Sequence, residues 1–178
     1  QVKANLGLVD KTWDEFGDIA REMAKTKLKD LDVKEAVLAI FPCAIPTGLR
    51  HGTVTVPTRA GPVDVTRLRA GPSLEADLAH RDFTVNAIAL DPETGARRDP
   101  FGGRADLRAG RLRGVGEAEE RLAEDPLRAL RAGRLVATLG LRADAALVEA
   151  LPSAAAGLAA VARERIRAEL DALLLGQH

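Results

Sequence analysis

The spacing of apolar residues predicts helices at both ends of the chain and strands between them. Residues 12–31 keep an amphipathic helical spacing that opens on a capping box, Thr12 with Glu15, and residues 34–41 predict a second, shorter helix. The phrases GTVTVPT and GPVDVTRLR then alternate apolar and polar positions, which predicts a β-hairpin that turns around residues 59–62.

The pattern changes after the hairpin. The run FTVNAIAL fits either a strand or a buried helix, and the glycine-rich stretch from Asp91 to Leu112 is predicted to be loop-rich and flexible. Helical spacing returns after Gly116 and predicts four helices, at residues 117–123, 126–139, 144–151 and 162–175. These elements predict an α/β fold in which a small mixed or antiparallel sheet precedes an all-helical part.

Composition excludes several classes of protein. The 178 residues are 46% hydrophobic, which is enough for a core, and the net charge of zero provides no global basic field for nucleic acid. A lone cysteine, Cys43, excludes an internal disulfide framework and a thiolate metal cluster, and the scattered histidines argue against zinc. No apolar run reaches the length of a membrane helix, and no signal peptide opens the chain, so the sequence predicts a cytoplasmic protein.

Basic residues divide the chain near position 34. Every lysine lies at or before Lys34, and every Lys-or-Arg position after it, from Arg50 to Arg167, is arginine. Trp13 and Met23, each the only residue of its type, fall in the same N-terminal stretch. We therefore predict that residues 1–34 are an atypical segment of separate origin, as a fusion, replacement or designed segment would be, with compositional drift at a domain edge as the alternative.

The stretch EDPLRALR combines a helix start with a polar pair. Asp125 suits an N-cap and Pro126 the first helical position, which is a complete structural explanation. Asp125 and Arg128 are also three residues apart, so their side chains project from one side of the first turn. Such an acceptor and donor match cytosine and adenine and reject guanine and uracil. Taken alone, the stretch leaves both interpretations open.

Six phrases occur in an order that resembles the class II tRNA nucleotidyltransferases, the CCA-adding enzymes, and the related bacterial poly(A) polymerases. They are IPTGLRHGTVTV, VDVTRLR, HRDFTVNAIAL, DPFGGRADL, EDPLRALRAGRL and ERIRAEL. The resemblance covers about Val37 to Leu175 and implies a nucleotidyltransferase head at 35–116 and a helical neck at 117–178. Residues 1–34 would complete the head.

The resemblance implies roles for four sets of residues. The sugar and phosphates of the incoming nucleotide would be held by Arg81 and Asp82. A flexible loop would contain Asp99, Gly102 and Gly103. The template that selects CTP and then ATP would be Glu124, Asp125 and Arg128. Because the other family phrases are also present, we favour the template interpretation of that stretch over the cap alone. Neighbouring helices would be braced by Glu164, Arg165, Arg167 and Glu169.

The family's reaction requires carboxylates that hold Mg²⁺. Asp64 fits the third carboxylate position of the family, and Asp30 and Asp32 have the internal spacing of the first two. No Gly-Gly turn precedes Asp30, however, and the interval from Asp32 to the IFP phrase is shorter than in the family. Two solvated acids near a helix end are the alternative.

The expected partners are CTP, ATP and, weakly, the 3′ end of tRNA. The sequence ends at His178, before the body and tail domains that hold tRNA in the family. Local phosphate contacts would come from the arginines of one loop, Arg97, Arg98, Arg104, Arg108, Arg111 and Arg113, with a solvated loop as the alternative. Three functions stay open: CCA addition by a truncated or chimeric form, a catalytically inactive nucleotide-binding or engineered chimeric scaffold, and poly(A) synthesis from ATP alone.

Overall fold

The structure, a computed structural model, describes residues 33–48, 53–58, 61–66, 68, 73–91 and 94–176. The chain divides into two compact units, one with the residues up to 69 and Leu90–Ala96, and one with Ala70–Ala89 and Arg97–His178. The predicted boundary between residues 116 and 117 falls inside the second unit. The predicted helix at 12–31 lies outside the described residues, as do Asp30 and Asp32.

In the described part of the first unit, one helix packs on an antiparallel sheet. Helix α1 spans Val33–Ile40, and the sheet has the order β1 (Ile45–Gly48), β2 (Thr53–Thr58), β3 (Gly61–Val65). Val37 of α1 packs with Val54 and Val56, which alternate inward along β2. The predicted hairpin is confirmed, with Thr55 of β2 opposite Asp64 of β3. The same alternation leaves Asp64 exposed.

The second unit is mostly helical. In chain order its elements are α2 (Leu74–Ala79), a 3₁₀ turn (Thr84–Asn86), β4 (Ala89–Leu90), β5 (Arg97–Arg98), α3 (Gly103–Arg108), β6 (Arg111–Leu112), α4 (Ala118–Glu124), α5 (Leu127–Leu139), β7 (Arg142–Ala143), α6 (Ala145–Gly157), a 3₁₀ turn (Leu158–Ala160) and α7 (Arg163–Leu174). Leu90 of β4 belongs to the first unit. Strands β6 and β7 pair in parallel. No helix within the described residues is both long and apolar enough to cross a membrane.

Two helix pairs build the core of the second unit. Helix α4 packs against α6, and α5 packs against α7. Phe83, Leu122 and Leu147 are almost completely buried at the centre, with Leu112 of β6 beside them. The four helices predicted after Gly116 are confirmed. Each begins one residue after its predicted start, and the third continues beyond its predicted end at residue 151 to Gly157.

Two sequence-based expectations need correction. The FTVNAIAL run is neither one strand nor one helix, since Phe83 forms an isolated bridge with Gly114 and a 3₁₀ turn follows before β4. The loop-rich interpretation of residues 91–112 is wrong where the chain forms α3 and β6. Helix α3 was not predicted because glycines lie close together there and because the helix is too short to contain a full amphipathic repeat.

Candidate functional site

The break between α4 and α5 contains Asp125. This residue has extended backbone (φ −149°, ψ 101°), and its Oδ1 accepts a hydrogen bond of 3.2 Å from the amide of Leu127. Asp125 thus bonds to the first amide of α5, as a capping side chain does, while Pro126 stands at the N-cap position of the helix. Its Oδ2 accepts a bond of 2.6 Å from Nη2 of Arg165 on α7. Each carboxylate oxygen has two lone pairs, so one acceptor site per oxygen stays unused by the described residues.

Arg128 lies on the first turn of α5 and is held by three groups. Its Nη1 donates to Oε2 of Glu124 and to the carbonyl oxygen of Arg121, both at 2.7 Å, and its Nη2 donates to the carbonyl oxygen of His80 at 3.2 Å. A guanidinium has five N–H donors. The described residues therefore use three of them and leave Nε–H and one Nη2–H for a ligand.

Asp82 is a buried carboxylate that accepts three hydrogen bonds. Its Oδ1 accepts from the amide of Phe83 at 2.8 Å and from Nδ2 of Asn86 at 3.0 Å, and its Oδ2 accepts from Nη1 of Arg131 at 2.9 Å. Burial by itself would raise the pKa of Asp82, but the hydrogen bonds from Asn86, Arg131 and Phe83 outweigh it, so the pKa lies below its ordinary value. Asp82 is therefore ionised and fixed in orientation at neutral pH.

Arg131 connects Asp82 to the C-terminal helix. Its Nε donates to Oε1 of Glu169 on α7 at 3.0 Å, and Arg134 donates from Nε to Oε2 of the same carboxylate at 2.6 Å. Burial would lower the pKa of Arg131, but its bonds with Asp82 and Glu169 raise it. Two arginines of α5 thus share one carboxylate of α7, and one of them continues to Asp82.

Arg81 precedes Asp82 and pairs with the helix before it. Its Nη2 donates to Oδ2 of Asp77 at 2.8 Å, with the Arg81 side chain 48% exposed and that of Asp77 6% exposed. The buried carboxylate orients a guanidinium that faces solvent. Arg81 and Asp82 are therefore held by different partners, although they are adjacent in sequence.

The loop that contains Asp99, Gly102 and Gly103 leads into α3. The Oδ1 of Asp99 accepts from the amide of Gly103 at 2.7 Å, and its Oδ2 accepts from the amide of Arg104 at 3.0 Å. Gly102 has a φ of 75°, and a Cβ on Gly103 would lie 2.0 Å from the carbonyl oxygen of Thr84. The loop therefore packs closely against Thr84, which follows Asp82 by two residues, and only glycine at position 103 permits this close approach.

Asp106 of α3 is completely buried and accepts from three side chains. Thr84 donates through Oγ1 at 2.7 Å, Arg111 through Nε at 2.7 Å and Arg113 through Nε at 3.1 Å. Arg113 also donates from Nη2 to the carbonyl oxygen of Phe101 at 2.8 Å. Burial would raise the pKa of Asp106, but these donors lower it. Two of the six loop arginines predicted to contact phosphates are thus engaged by a carboxylate.

Asp64 is the candidate metal ligand among the described residues. It is exposed on β3, and its Oδ1 accepts a hydrogen bond of 2.6 Å from Oγ1 of Thr55. No group of three or more His, Cys, Asp or Glu side chains within the described part of the chain lies close enough to hold a metal ion. An exposed carboxylate has the oxygen chemistry that Mg²⁺ prefers, and Mg²⁺ is often held by one or two carboxylates together with substrate phosphates.

The remaining predicted residues lie on α7. Glu164 is exposed, and Arg167 lies 3.5 Å from Asp171 in an exposed pair, where such pairs contribute little stability. Of the four ERIRxE residues, Glu169 contacts α5, and Arg165 contacts Asp125 in the break before α5.

Sequence reasoning missed several polar residues of this site, among them Asp77, Asp106, Arg121 and Arg131. A signal existed for Arg131, because Arg128, Arg131 and Arg134 repeat at intervals of three along one helix. The burial of Asp106 had no signal, because its donors come from sequence positions on both sides of α3.

Known proteins are similar to this chain in sequence and in fold. The Poly A polymerase head domain family matches residues 62–113. The chain is 44% identical over 140 residues to the CC-adding tRNA nucleotidyltransferase of Shouchella clausii, which covers 79% of this chain and 36% of that protein. It is 37% identical over 182 residues to the CCA-adding enzyme of Streptococcus pyogenes, which covers 91% of this chain and 45% of that protein.

A solved structure agrees. The CCA-adding enzyme of Bacillus stearothermophilus in complex with CTP has a TM-score of 0.74 and 43% identity, covering 81% of this chain and 38% of that one. The predicted resemblance to tRNA nucleotidyltransferases and poly(A) polymerases is confirmed for the head portion, as is the α/β fold class. The chain spans less than half the length of these relatives.

Proposed function

We propose that this chain carries the nucleotide-selecting part of a tRNA nucleotidyltransferase and adds C and A, from CTP and ATP, to the 3′ end of an RNA. One observation carries the proposal: at one helix start, the described residues leave acceptor sites on Asp125 and two donors on Arg128 unused. The domain assignment proposed with it is a head at 35–116, completed by 1–34, and a neck at 117–178. A cytoplasmic location is proposed with this function.

Base selection follows from the order of donors and acceptors. Cytosine presents the acceptor N3 beside the amine N4, and adenine presents N1 beside N6. Asp125 accepts from the amine and Arg128 donates to the ring nitrogen. Uracil and guanine would place a ring N–H against the guanidinium and a carbonyl oxygen against the carboxylate. A site built on such polar pairs discriminates strongly, since the wrong base leaves its groups unpaired.

The adjacent pair holds the rest of the nucleotide in this proposal. Arg81 is half exposed and donates to phosphate oxygens. Among the described residues the Oδ2 of Asp82 accepts one bond, from Arg131, and its second lone pair accepts from a ribose 2′-hydroxyl in this proposal. This contact favours ribonucleotides over deoxyribonucleotides.

The transfer step needs a base and charge neutralisation. The RNA 3′ oxygen bonds to the α-phosphorus, the bond from the α-phosphorus to the β-phosphate oxygen breaks, and pyrophosphate leaves. Asp64 orients the attacking hydroxyl and takes up its proton. Mg²⁺, when bound, lowers the pKa of that hydroxyl and neutralises phosphate charge, and Asp64 with Asp30 and Asp32 would hold it.

A second candidate function is addition of C alone. The 44% identity to a CC-adding tRNA nucleotidyltransferase favours it. Asp125 and Arg128 fit either function, because the same pair matches cytosine and adenine.

A transfer assay tests these proposals. A tRNA that lacks its terminal CCA is incubated with this chain, Mg²⁺ and either CTP, ATP or both, and the products are sized. We expect extension by C and A when both nucleotides are present. Extension by C alone under those conditions would identify the second candidate, and an A tail made from ATP alone would identify a poly(A) polymerase.

Variants identify the catalytic carboxylate. We expect Asp64→Asn to abolish extension while CTP still binds, whereas Asp171→Asn, which removes a different exposed carboxylate, extends normally. Wild-type chain that binds CTP but never extends RNA would instead be a catalytically inactive nucleotide-binding module.

A further inference from the structure

Arg121 lies on α4, one turn before Asp125 and outside all six phrases that carry the family resemblance. Its side chain is 16% exposed. Its Nη2 lies 2.6 Å from Oε1 of Glu124, and its Nη1 donates to the carbonyl oxygen of Ala79 at 3.3 Å. Ala79 is the last residue of α2, where carbonyl groups have no partner inside the helix. Arg121 thus links Glu124 to the end of α2.

Glu124 is shared by two arginines, one on each oxygen. Oε1 pairs with Arg121, and Oε2 accepts from Nη1 of Arg128 at 2.7 Å. Arg128 also donates from Nη2 to the carbonyl oxygen of His80 at 3.2 Å. The two guanidinium groups therefore lie on either side of one carboxylate. Each also donates to one carbonyl group at the end of α2, Arg121 to that of Ala79 and Arg128 to that of His80.

Because each oxygen of Glu124 pairs with a different arginine, Glu124 limits how many N–H donors of Arg128 it uses. A carboxylate beside a single arginine commonly forms two parallel hydrogen bonds with it. A bidentate pair that keeps the Glu124 bond to Nη1 would take the remaining Nη2–H of Arg128, and one on the other side of the guanidinium would take Nε–H together with Nη2–H. Either pair would use a donor that the described residues leave for a base. Arg121 prevents that pairing because it occupies Oε1.

We propose that Arg121 is a specificity-determining positioning residue: by occupying Oε1 of Glu124, it keeps Glu124 monodentate on Arg128 and preserves the Arg128 donors that read the base. This inference rests on the proposed function. It places part of base selection in a residue that contacts no base. Loss of Arg121 turns Arg128 toward Glu124, which weakens binding of CTP and ATP and leaves the sugar and phosphate contacts in place.

The test compares CTP with UTP by isothermal titration calorimetry on the whole chain, with Mg²⁺ present. We expect Arg121→Met, which keeps the apolar stem, to raise the Kd for CTP about tenfold and to change the Kd for UTP less than about twofold. Arg121→Lys retains one bond to Glu124 and is expected to lie between. Arg142→Met, at an exposed arginine of β7, is the matched control and is expected to bind both nucleotides as wild type does.

A second substitution separates positioning from general support. Glu124→Gln has one acceptor oxygen and cannot form a bidentate pair with arginine. Added to Arg121→Met, it is expected to restore part of the CTP preference, which a merely structural role of Arg121 would not allow. Arg121→Leu, which also has no donor for Glu124, carries the same prediction as Arg121→Met and replaces it if that variant does not fold.

The outcomes separate this inference from the function on which it rests. Wild-type chain that binds CTP and UTP equally would overturn the proposed function and this inference together. A CTP preference that survives Arg121→Met would overturn the inference alone, and so would equal weakening of CTP and UTP. Loss of the preference in Arg121→Met, with partial recovery in the double variant, would support it.

Discussion

Asp64 and Asp82 show how differently the two units treat a carboxylate. Asp64 is exposed on a strand and accepts one hydrogen bond, from a threonine on the neighbouring strand. Asp82 is 6% exposed and accepts from a backbone amide, an asparagine and an arginine. The first is suited to an incoming cation, while the second is held in one orientation before any ligand arrives.

The difference lies in the source of the donors. A strand position offers its carboxylate only the residues opposite and beside it. The donors to Asp82 come from its own turn and from α5, and α5 is in turn fixed through Glu169 of α7. Rigid positioning of polar groups in this chain therefore depends on helices that are far apart in sequence.

The largest expected effect separates a buried carboxylate from an exposed one. Asp106→Ala leaves Thr84, Arg111 and Arg113 without their shared acceptor, so we expect it to lower the free energy of unfolding by about 3 kcal/mol. Asp64→Ala should change it by less than about 0.5 kcal/mol. Urea denaturation of both variants measures this, and losses of similar size would contradict the contrast.

The next effect concerns two glycines. In Gly103→Ala the new Cβ would collide with the carbonyl oxygen of Thr84, and we expect a loss of about 2 kcal/mol. Gly95→Ala meets no atom within 4 Å but has a φ of 68°, so its expected loss is about 1 kcal/mol. Thermal unfolding of both variants measures the difference. A Gly103→Ala protein as stable as wild type would show that the loop moves away from Thr84 easily.

A smaller effect is expected in acid. Because the pKa of Asp82 is lowered in the folded state, its contribution to stability is complete above the ordinary carboxyl pKa of about 3.9. As pH falls further, Asp82 is protonated in the unfolded chain while it is still ionised in the folded chain, so the free energy of unfolding declines until the folded pKa is passed. Asp82→Asn should make the decline between about pH 4 and pH 3 shallower, as measured by denaturation at several pH values. An unchanged slope would contradict this.

The smallest expected effect is at the hydroxyl beside Asp64. Thr55→Val keeps the side-chain shape and removes the donor, and we expect a change in the free energy of unfolding of at most about 0.5 kcal/mol, because water replaces the hydroxyl at an exposed carboxylate. A loss above about 2 kcal/mol in urea denaturation would show that the strand pair constrains Asp64 as firmly as the helices constrain Asp82.

The periodic elements were predictable, and the ionic partners were not. Alternation along residues 53–65 and helical spacing after Gly116 arise from burial of one face, which a single sequence displays directly. The turn structure at Thr84–Asn86 and helix α3 depend instead on tertiary contacts, such as that between Thr84 and Asp106, and those contacts overrode the local pattern.

The candidate site shows the same division. The cap geometry of Asp125 follows from its position before Pro126 and α5. The contact from Arg165 crosses forty sequence positions, and the pairing of Arg121 with Glu124 is one of several arrangements that the local sequence permits. Local chemistry thus predicted which residue types occur in the site, while the fold determined their partners.

The central claim is that Asp125 and Arg128 read the base, and a titration of CTP, ATP, UTP and GTP against wild type and Asp125→Asn tests it most directly. In Asn the carboxylate acceptor becomes an amide with one donor group, which suits a carbonyl oxygen rather than an amine. We predict that wild type prefers CTP and ATP and that Asp125→Asn loses this preference and gains affinity for UTP. Equal binding of all four nucleotides by wild type, or an unchanged preference in Asp125→Asn, would contradict the account.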